Sequence, residues 1–266
     1  MRTALWLLIS CTACHRATPI TFTVEPRPDV VEVERRHRLS LELGIGFDGE
    51  LDPQRWEQQG FERVRLERTT SGVVVRCLEA GQRDGEVVAP SGLEGLSARV
   101  LASGVEPTDP TRPLTPPQRG AMAAWASALE PDTLQLALWS RSHRVRETNA
   151  ELDDAFATLV GRALGPGSVV EHASLRLVTA TEAVAVFDAA VAARVLRGEL
   201  AISTTLSGTL TVSRSGAVPL SLALEGPVQV SAPEHEGTPA LRGAGQLQVA
   251  RQVRLIEPGS ATVAER

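Results

Sequence analysis

The sequence predicts an α+β fold: a mostly antiparallel β-sheet, arranged as a curved meander, with two helices in the middle of the chain. Three observations predict it. Apolar and polar residues alternate over several long segments, which is typical of strands with one buried face. Turns that contain glycine separate these segments at short spacing. Two segments in the middle of the chain carry helix-capping residues and apolar residues at helical spacing.

The composition limits the classes of function. The chain has 266 residues, of which 42% are hydrophobic and 22% charged, enough to bury a core without a disulfide framework. The net charge of −5 argues against nucleic-acid binding, which needs a basic surface. All 27 basic residues are arginine and there is no tyrosine, so mechanisms that need a lysine Schiff base, a P-loop lysine or a tyrosine acid are excluded.

Residues 31–103 are predicted to be β-rich. Apolar residues alternate from Leu39 to Phe47, as in a half-buried strand. The pattern G-x-G-x-x-G covers residues 44–49, but the following segment, residues 50–60, is polar and short. We therefore interpret the glycines as bends in a strand before a turn, and not as a dinucleotide-binding loop. Residues 61–78 predict a hairpin that turns at Ser71-Gly72, with cross-strand Glu–Arg pairs.

Residues 104–117 contain five prolines and are predicted to be a linker between this first half and residues 118–256. Near the end of the linker, Thr115 followed by Pro116 predicts the start of a helix over about 116–129. A second helix is predicted over 149–164, with Asn149 or Thr148 at its N-cap, an acidic first turn and an apolar stripe for core packing.

The remainder of residues 118–256 is predicted to form an antiparallel meander. The segment 182–196 is ambiguous, because its alanines favour helix while its valines and its neighbours favour strand. Residues 257–266 are expected to be a flexible tail. The other strands are expected at residues 169–178, 200–212, 218–230 and 241–255.

The N-terminus has the features of an export signal. A basic residue precedes a short apolar stretch that is less than half the length of a transmembrane helix. Leu8-Ile9-Ser10-Cys11 resembles the lipobox of bacterial lipoproteins. This resemblance implies that residues 1–10 are a signal peptide and that Cys11 Sγ carries a diacylglycerol thioether. It also implies an exported protein anchored to the cell envelope, and Thr12 implies the outer membrane under the enteric sorting rule.

The same cysteine belongs to a second motif. Cys11-Thr12-Ala13-Cys14-His15 matches the haem-attachment pattern C-x-x-C-H, in which two thiols bind the porphyrin and the histidine binds iron. Cys11 directly follows the apolar stretch, and the sequence after it lacks helical character, so we favour lipidation and keep haem attachment as the alternative. Two states of the other cysteines are compatible with the sequence: Cys14 and Cys77 form a disulfide, or both are free thiols.

Residues 11–30 are predicted to be a lipidated tether, because prolines and polar residues dominate the segment. An irregular first strand along residues 20–24 is the alternative.

Glu234-His235-Glu236 is a local cluster of metal-ligand residue types, but we interpret it as a solvated loop and expect no metal site. Residues 140–146 surround His143 with arginines. We interpret them as a solvated connector, with contact to an anionic headgroup as the alternative.

No catalytic motif is recognised: the sequence has no G-x-S-x-G, H-E-x-x-H or P-loop pattern. The coarse layout resembles β-rich envelope lipoproteins of bacteria, which implies a non-catalytic binding or structural role. The expected partners are the membrane, through the lipid on Cys11, and an apolar ligand or an envelope protein; no other cofactor is expected. A hydrolase assembled from distant Asp, Glu and His residues is the alternative. A curved sheet around an apolar cavity favours the binder, and converging carboxylates favour the enzyme.

Overall fold

The computed structural model describes residues 18–25, 28–47, 52–84, 87–164, 167–234 and 240–256. Eleven antiparallel strands form one sheet, and three α-helices lie against it. This arrangement confirms the predicted fold class.

The first six strands precede the helices, and the last five follow them. The early strands are β1 Val30–Phe47, β2 Asp52–Thr69, β3 Gly72–Asp84, β4 Val87–Pro90, β5 Ser97–Leu101 and β6 Gly104–Pro107. The helices are α1 Pro116–Ala126, α2 Thr133–Trp139 and α3 Ala150–Leu164, with a 3₁₀ turn at Ser127–Leu129. The late strands are β7 Ser168–Ala180, β8 Val184–Arg197, β9 Leu200–Ser213, β10 Pro219–Ala232 and β11 Leu241–Ile256.

The strand order is β6-β5-β3-β2-β1-β11-β10-β9-β8-β7, with β4 also paired to β3. The first and last strands are therefore neighbours, and they pair over 16 positions from Glu32–Ile256 to Phe47–Leu241. Through this pairing the segments before and after the Pro-rich stretch belong to a single sheet. The first residues of that stretch, expected to be a linker, form the edge strand β6 and pair with β5.

Several elements differ from the sequence predictions. Strand β1 begins at Val30, before the predicted alternation. Strand β2 begins at Asp52 and includes most of the polar segment 50–60, which the sequence analysis did not assign to a strand. The predicted hairpin is confirmed, with Thr69 paired to Gly72 across the turn. The ambiguous segment is strand β8, because β7 and β9 pair with it on both sides. Helix α2 was not predicted, since the sequence pattern indicated a stop at Glu130-Pro131-Asp132.

The three helices begin at polar caps. Thr115 accepts a hydrogen bond from the Gln118 backbone, and the Gln118 side chain bonds back to Thr115, so the predicted cap of α1 is confirmed as a capping box. Asp132 and Gln135 form the same box at the start of α2. At α3, the Leu152 N–H donates to the Asn149 side chain at 3.3 Å, so Asn149 caps this helix.

The sheet has one apolar and one polar face, because paired residues in neighbouring strands share a face and successive residues alternate. The apolar face, which we name the inner face, carries rows such as Leu39, Val249 and Leu224. The opposite, outer face carries rows such as Ser40, Gln248 and Glu225.

All three helices pack on the inner face, in two separate groups. Helix α1 covers the strands of the first half, where its Trp125 packs with the fully buried Val64, Leu66 and Val75. Helices α2 and α3 cover β7 to β10 in a second core, which is built around Leu138, Phe156, Phe187 and Leu210. Burial of these apolar side chains is the main term that stabilises the helices on the sheet.

Glycines on the inner face, among them Gly226 and Gly245, allow neighbouring strands to approach closely. A Cβ atom at Gly226 would lie 2.1 Å from the Thr205 carbonyl oxygen, and one at Gly245 would lie 1.9 Å from the Glu42 carbonyl oxygen. A larger residue at either position would force the strands apart. Such close approaches are typical of places where a strongly coiled sheet bends.

Part of the segment expected to be a tether belongs to the folded body. Ile20 and His143 exchange two backbone hydrogen bonds of 2.8 Å, and the Thr23 N–H donates to the Arg214 carbonyl at 3.0 Å. Between them, Phe22 is 6% exposed and stacks on Phe187 with the ring centres 6.3 Å apart. Residues 20–23 are therefore attached to the part of the molecule that contains the second core.

We expect Phe22→Ala to lower the free energy of unfolding by about 3 kcal/mol, because it leaves a cavity against Phe187. Chemical denaturation measures this change. The matched control is Val24→Ala, two residues away at a side chain that is 67% exposed, with an expected change within about 0.5 kcal/mol. Equal effects of the two substitutions would contradict the packing of this segment.

Candidate functional site

The two helical groups leave part of the central strands uncovered, and a cavity of about 420 Å³ lies in the gap between them. Its floor is the inner face of β1, β10 and β11. Its other walls come from the end of α1, the irregular residues 130–132, the start of α2 and Leu159 of α3. The cavity thus exists because the helical region is interrupted at Glu130-Pro131-Asp132, which divides the cover of the sheet into two parts.

The wall of the cavity is mainly apolar, and its volume lies within the range of small-molecule sites, roughly 300–1,000 Å³. The exposed residues of its lining lie where the cavity meets solvent: Pro28, Ala124, Ser127, Glu130, Pro131 and Leu255. Its floor and walls further inside are formed by Val31, Val33, Leu159, Leu210, Leu222 and Val253.

Two charged side chains of the lining have partners of opposite charge. Arg35 lies 3.6 Å from Glu62, which also accepts a hydrogen bond from Trp125 Nε1 at 2.8 Å. Glu130 pairs with Arg68 at 3.2 Å. These contacts tie the end of α1 to β1 and β2.

The other two charged residues of the lining are Asp132 and Arg251. Asp132 accepts the Gln135 N–H at 2.8 Å as the cap of α2. Arg251 makes no ion pair and no side-chain hydrogen bond with any part of the chain that the structure describes. It is therefore the one lining cation in this described region without a protein counter-ion.

Arg251 interrupts an apolar row. The inner-face residues of β11 near it are Leu247, Val249, Arg251, Val253 and Leu255. Opposite Arg251 in the register lie Leu222 on β10 and His37 on β1. The interruption in an otherwise apolar alternation is visible in the sequence, but our sequence analysis did not select it. Its neighbour His37, more than two hundred residues away along the chain, becomes visible only through the β1–β11 register.

A second depression, of about 690 Å³, lies mostly on the outer face and has a different character. Charged side chains line it, and three of its four arginines are paired: Arg36 lies 2.7 Å from Glu34, Arg63 lies 2.7 Å from Glu32, and Arg38 lies 3.1 Å from Glu57. The Glu32 hydrogen bond raises the pKa of Arg63. Among the described residues, no Glu–Arg ion pair joins the two strands of the β2–β3 hairpin, where we predicted such pairs. Glu62 and Arg63 of β2 pair instead with Arg35 and Glu32 of β1. Ion pairs on a solvated face contribute little to stability.

The residues that the sequence analysis selected for chemistry lie mostly elsewhere. Cys11, Cys14 and His15 lie outside the described residues, as do His235 and Glu236 of the local acidic cluster. Within the described ranges, no group of three or more His, Cys, Asp or Glu side chains is arranged to hold a metal. Cys77 is a free, fully buried thiol, and burial together with Glu94 and Glu62 raises its pKa to about 12.

The interpretation of His143 as part of a solvated connector was wrong. His143 is 3% exposed, and its Nε2 lies 3.0 Å from the Leu138 carbonyl oxygen. Phe22 contacts the ring edge-on, with the centroids 5.7 Å apart. Burial lowers the pKa of His143, since a charged imidazole loses its hydration there. The flanking arginines suggested that the whole segment is solvated, but they are exposed whereas His143 is buried.

Comparisons with known proteins give no family for this chain: no protein-family profile and no curated protein matches it. The solved structures with a similar backbone include one described as "lipid-protein interactions in lipovitellin", at 8% identity and a TM-score of 0.34. That match covers 90% of this chain, which spans only 27% of the lipovitellin chain.

Two further structures are similar at the same low level. DynF from the dynemicin biosynthesis pathway of Micromonospora chersina is 11% identical with a TM-score of 0.25, covering 92% of this chain and 88% of DynF. OpdQ of Pseudomonas aeruginosa is 7% identical with a TM-score of 0.23, covering 86% of this chain and 99% of OpdQ. All these TM-scores are below 0.5, so the similarities assign neither a fold family nor a function.

Among the described residues, no helix has both the length and the apolar character that crossing a bilayer requires.

We expect the free energy of unfolding to fall as the pH is lowered from 7 to 5, in part because of His143. The folded state keeps this imidazole neutral to a lower pH, whereas the unfolded chain takes up the proton near the ordinary value of about 6.5. Urea denaturation at several pH values measures the slope. His143→Gln should reduce it, while His172→Gln, at an exposed position on β7, should leave it unchanged. An unaltered slope in His143→Gln would contradict this assignment.

Proposed function

We propose that this protein is an envelope lipoprotein that binds the apolar chain of a lipid-like ligand in the inner-face cavity, without catalysing a reaction on it. The main support for this proposal is the cavity, a mostly apolar space of about 420 Å³ between one face of the sheet and two groups of helices. A space with apolar walls and few polar groups is the usual form of a site for an apolar ligand.

The carboxylates of the cavity support binding more than hydrolysis. Glu130 pairs with Arg68, and Asp132 caps helix α2, so each has a structural role. Glu62, next to the cavity, is held by Trp125 and Arg35. A hydrolase needs a carboxylate or histidine aimed at a substrate position and matched in pKa to that task. The acids of this cavity are instead engaged in holding the helices in place.

The anchor and the cavity are connected through the N-terminal segment. The Gly216 N–H donates to the Thr23 carbonyl at 3.0 Å, and the Gly216 carbonyl accepts a hydrogen bond from Gln135, which lines the cavity. Cys11 precedes Ile20 by nine residues, so a lipid on Cys11 would keep Ile20 within about 30 Å of the bilayer. Under the proposal, the cavity lies on the part of the body that the anchor holds near the membrane.

The proposal predicts that a bulky side chain in the cavity reduces ligand binding. Val253→Trp places an indole on the cavity floor and should weaken the binding of a dansyl-labelled undecanoic acid about tenfold, the cost of excluding about two methylene groups. Fluorescence titration measures the dissociation constant.

The matched control is Gln252→Trp, the adjacent residue on the outer face of the same strand. It introduces the same side chain and should leave the affinity within a factor of about two. Thermal unfolding of both variants checks that they are folded. Unchanged binding in a folded Val253→Trp variant would rule out this cavity as the site.

The anchor is tested separately. Cys11→Ala should abolish the incorporation of radioactive palmitate in a lipoprotein-producing bacterial host, because the acceptor sulfur is lost. Cys14→Ala is the control and should retain the label. Intact-protein mass spectrometry then gives the modification: an acylated Cys11 without residues 1–10 supports the proposal. An unmodified Cys11 with the leader attached, or a porphyrin bonded to Cys11 and Cys14, would refute it.

A further inference from the structure

The inner face is apolar over most of its area, yet a small group of polar side chains interrupts it in the middle. On β1 the interruption is Arg35 and His37, on β2 it is Glu62, and on β11 it is Arg251. The registers place these residues side by side: Arg35 opposite Glu62, and His37 opposite Arg251. The polar group therefore borders the cavity floor, and two of its members, Arg35 and Arg251, line the cavity directly.

The charges within this group do not balance locally. Glu62 lies 3.6 Å from Arg35 and accepts the Trp125 indole N–H, so its negative charge is engaged on the α1 side. The acids at the mouth are engaged as well, Glu130 with Arg68 and Asp132 as a helix cap. Arg251 is left as a half-buried cation with apolar neighbours, Val249 and Val253 along its strand and Leu222 across from it.

A half-buried guanidinium among apolar side chains is costly without an anion or good hydration. An anionic group inside the cavity would supply the counter-charge, through the bidentate hydrogen bonds that guanidinium groups form with carboxylates. The apolar walls on either side would cover a hydrocarbon chain attached to that group. The cavity thus combines an apolar space of limited volume with one arginine, Arg251, that has no counter-ion in the described part of the chain.

We propose that the cavity selects a single-chain amphiphile with one negative charge, a fatty-acid-like carboxylate, whose head binds Arg251 and whose chain lies on the inner face. This inference rests on the proposed binding function and specifies its ligand. One guanidinium without a counter-ion matches a monoanion. A dianionic phosphate head would need further cations, whereas the mouth of the cavity carries Glu130 and Asp132.

The test compares ligands that share a chain and differ in the head. Isothermal titration calorimetry of the purified full chain, at pH 8 and below the critical micelle concentrations, gives dissociation constants for dodecanoate, dodecanol and dodecyl phosphate. We expect dodecanoate to bind at least about tenfold more tightly than dodecanol, and more tightly than dodecyl phosphate. Arg251→Gln should remove this preference by weakening dodecanoate about tenfold while leaving dodecanol within about twofold.

The control is Arg254→Gln, three residues along β11 at an exposed position on the outer face, which should leave both ligands within about twofold. Equal affinities of the wild-type chain for dodecanoate and dodecanol would overturn the inference and leave the proposed function standing. An equal loss for both ligands in Arg251→Gln would also overturn it, because it would show a structural role. Tighter binding of dodecyl phosphate than of dodecanoate would overturn the inference of a carboxylate ligand, because it would show that the cavity prefers a phosphate head. Binding of none of the three would refute the proposed function together with the inference.

Discussion

The pairing of β1 with β11 is the interaction on which the rest of the structure depends. The two strands lie at opposite ends of the chain, and they hold 16 register positions in common. Without this pairing, β2 to β6 and β7 to β10 would form two separate sheets, each with its own helices and its own core. Pairing across such a sequence distance carries a large loop-closure entropy, which the burial along both strands offsets.

One consequence is that the inner face extends without a break from β3 to β8. The helices bury the inner face in two separate groups, because α1 packs against the early strands and α2 and α3 pack against the late strands. The strands that join the two halves, β1 and β11, lie between these groups and keep part of their apolar surface uncovered. The cavity is therefore a product of the topology, and no single element of secondary structure contains it.

The pairing of β1 with β11 also places polar residues in an apolar environment. Arg35 and His37 come from β1 and Arg251 from β11, and only the register between the strands brings them together. The Arg35–Glu62–Trp125 contacts stabilise the position of α1, whereas Arg251 has no such partner in the described part of the chain. A structural role explains the first set of charges, and the proposed ligand explains the second.

The sequence by itself determined the fold class, the approximate places of most strands, the caps of α1 and α3, and the one-sided alternation that separates an apolar face from a polar one. These are local properties, which follow from side-chain period and backbone capping. Tertiary structure decided what local patterns could not. Segment 184–197 is a strand because it is paired on both sides, and residues 133–139 are a helix because they bury Leu134 and Leu138. His143 is buried because Phe22 and Ile20 cover it. The cavity, with Arg251 on its floor, exists because β1 and β11 are neighbours although they lie at opposite ends of the chain. A period of two within each strand carries no information about which strand lies beside it.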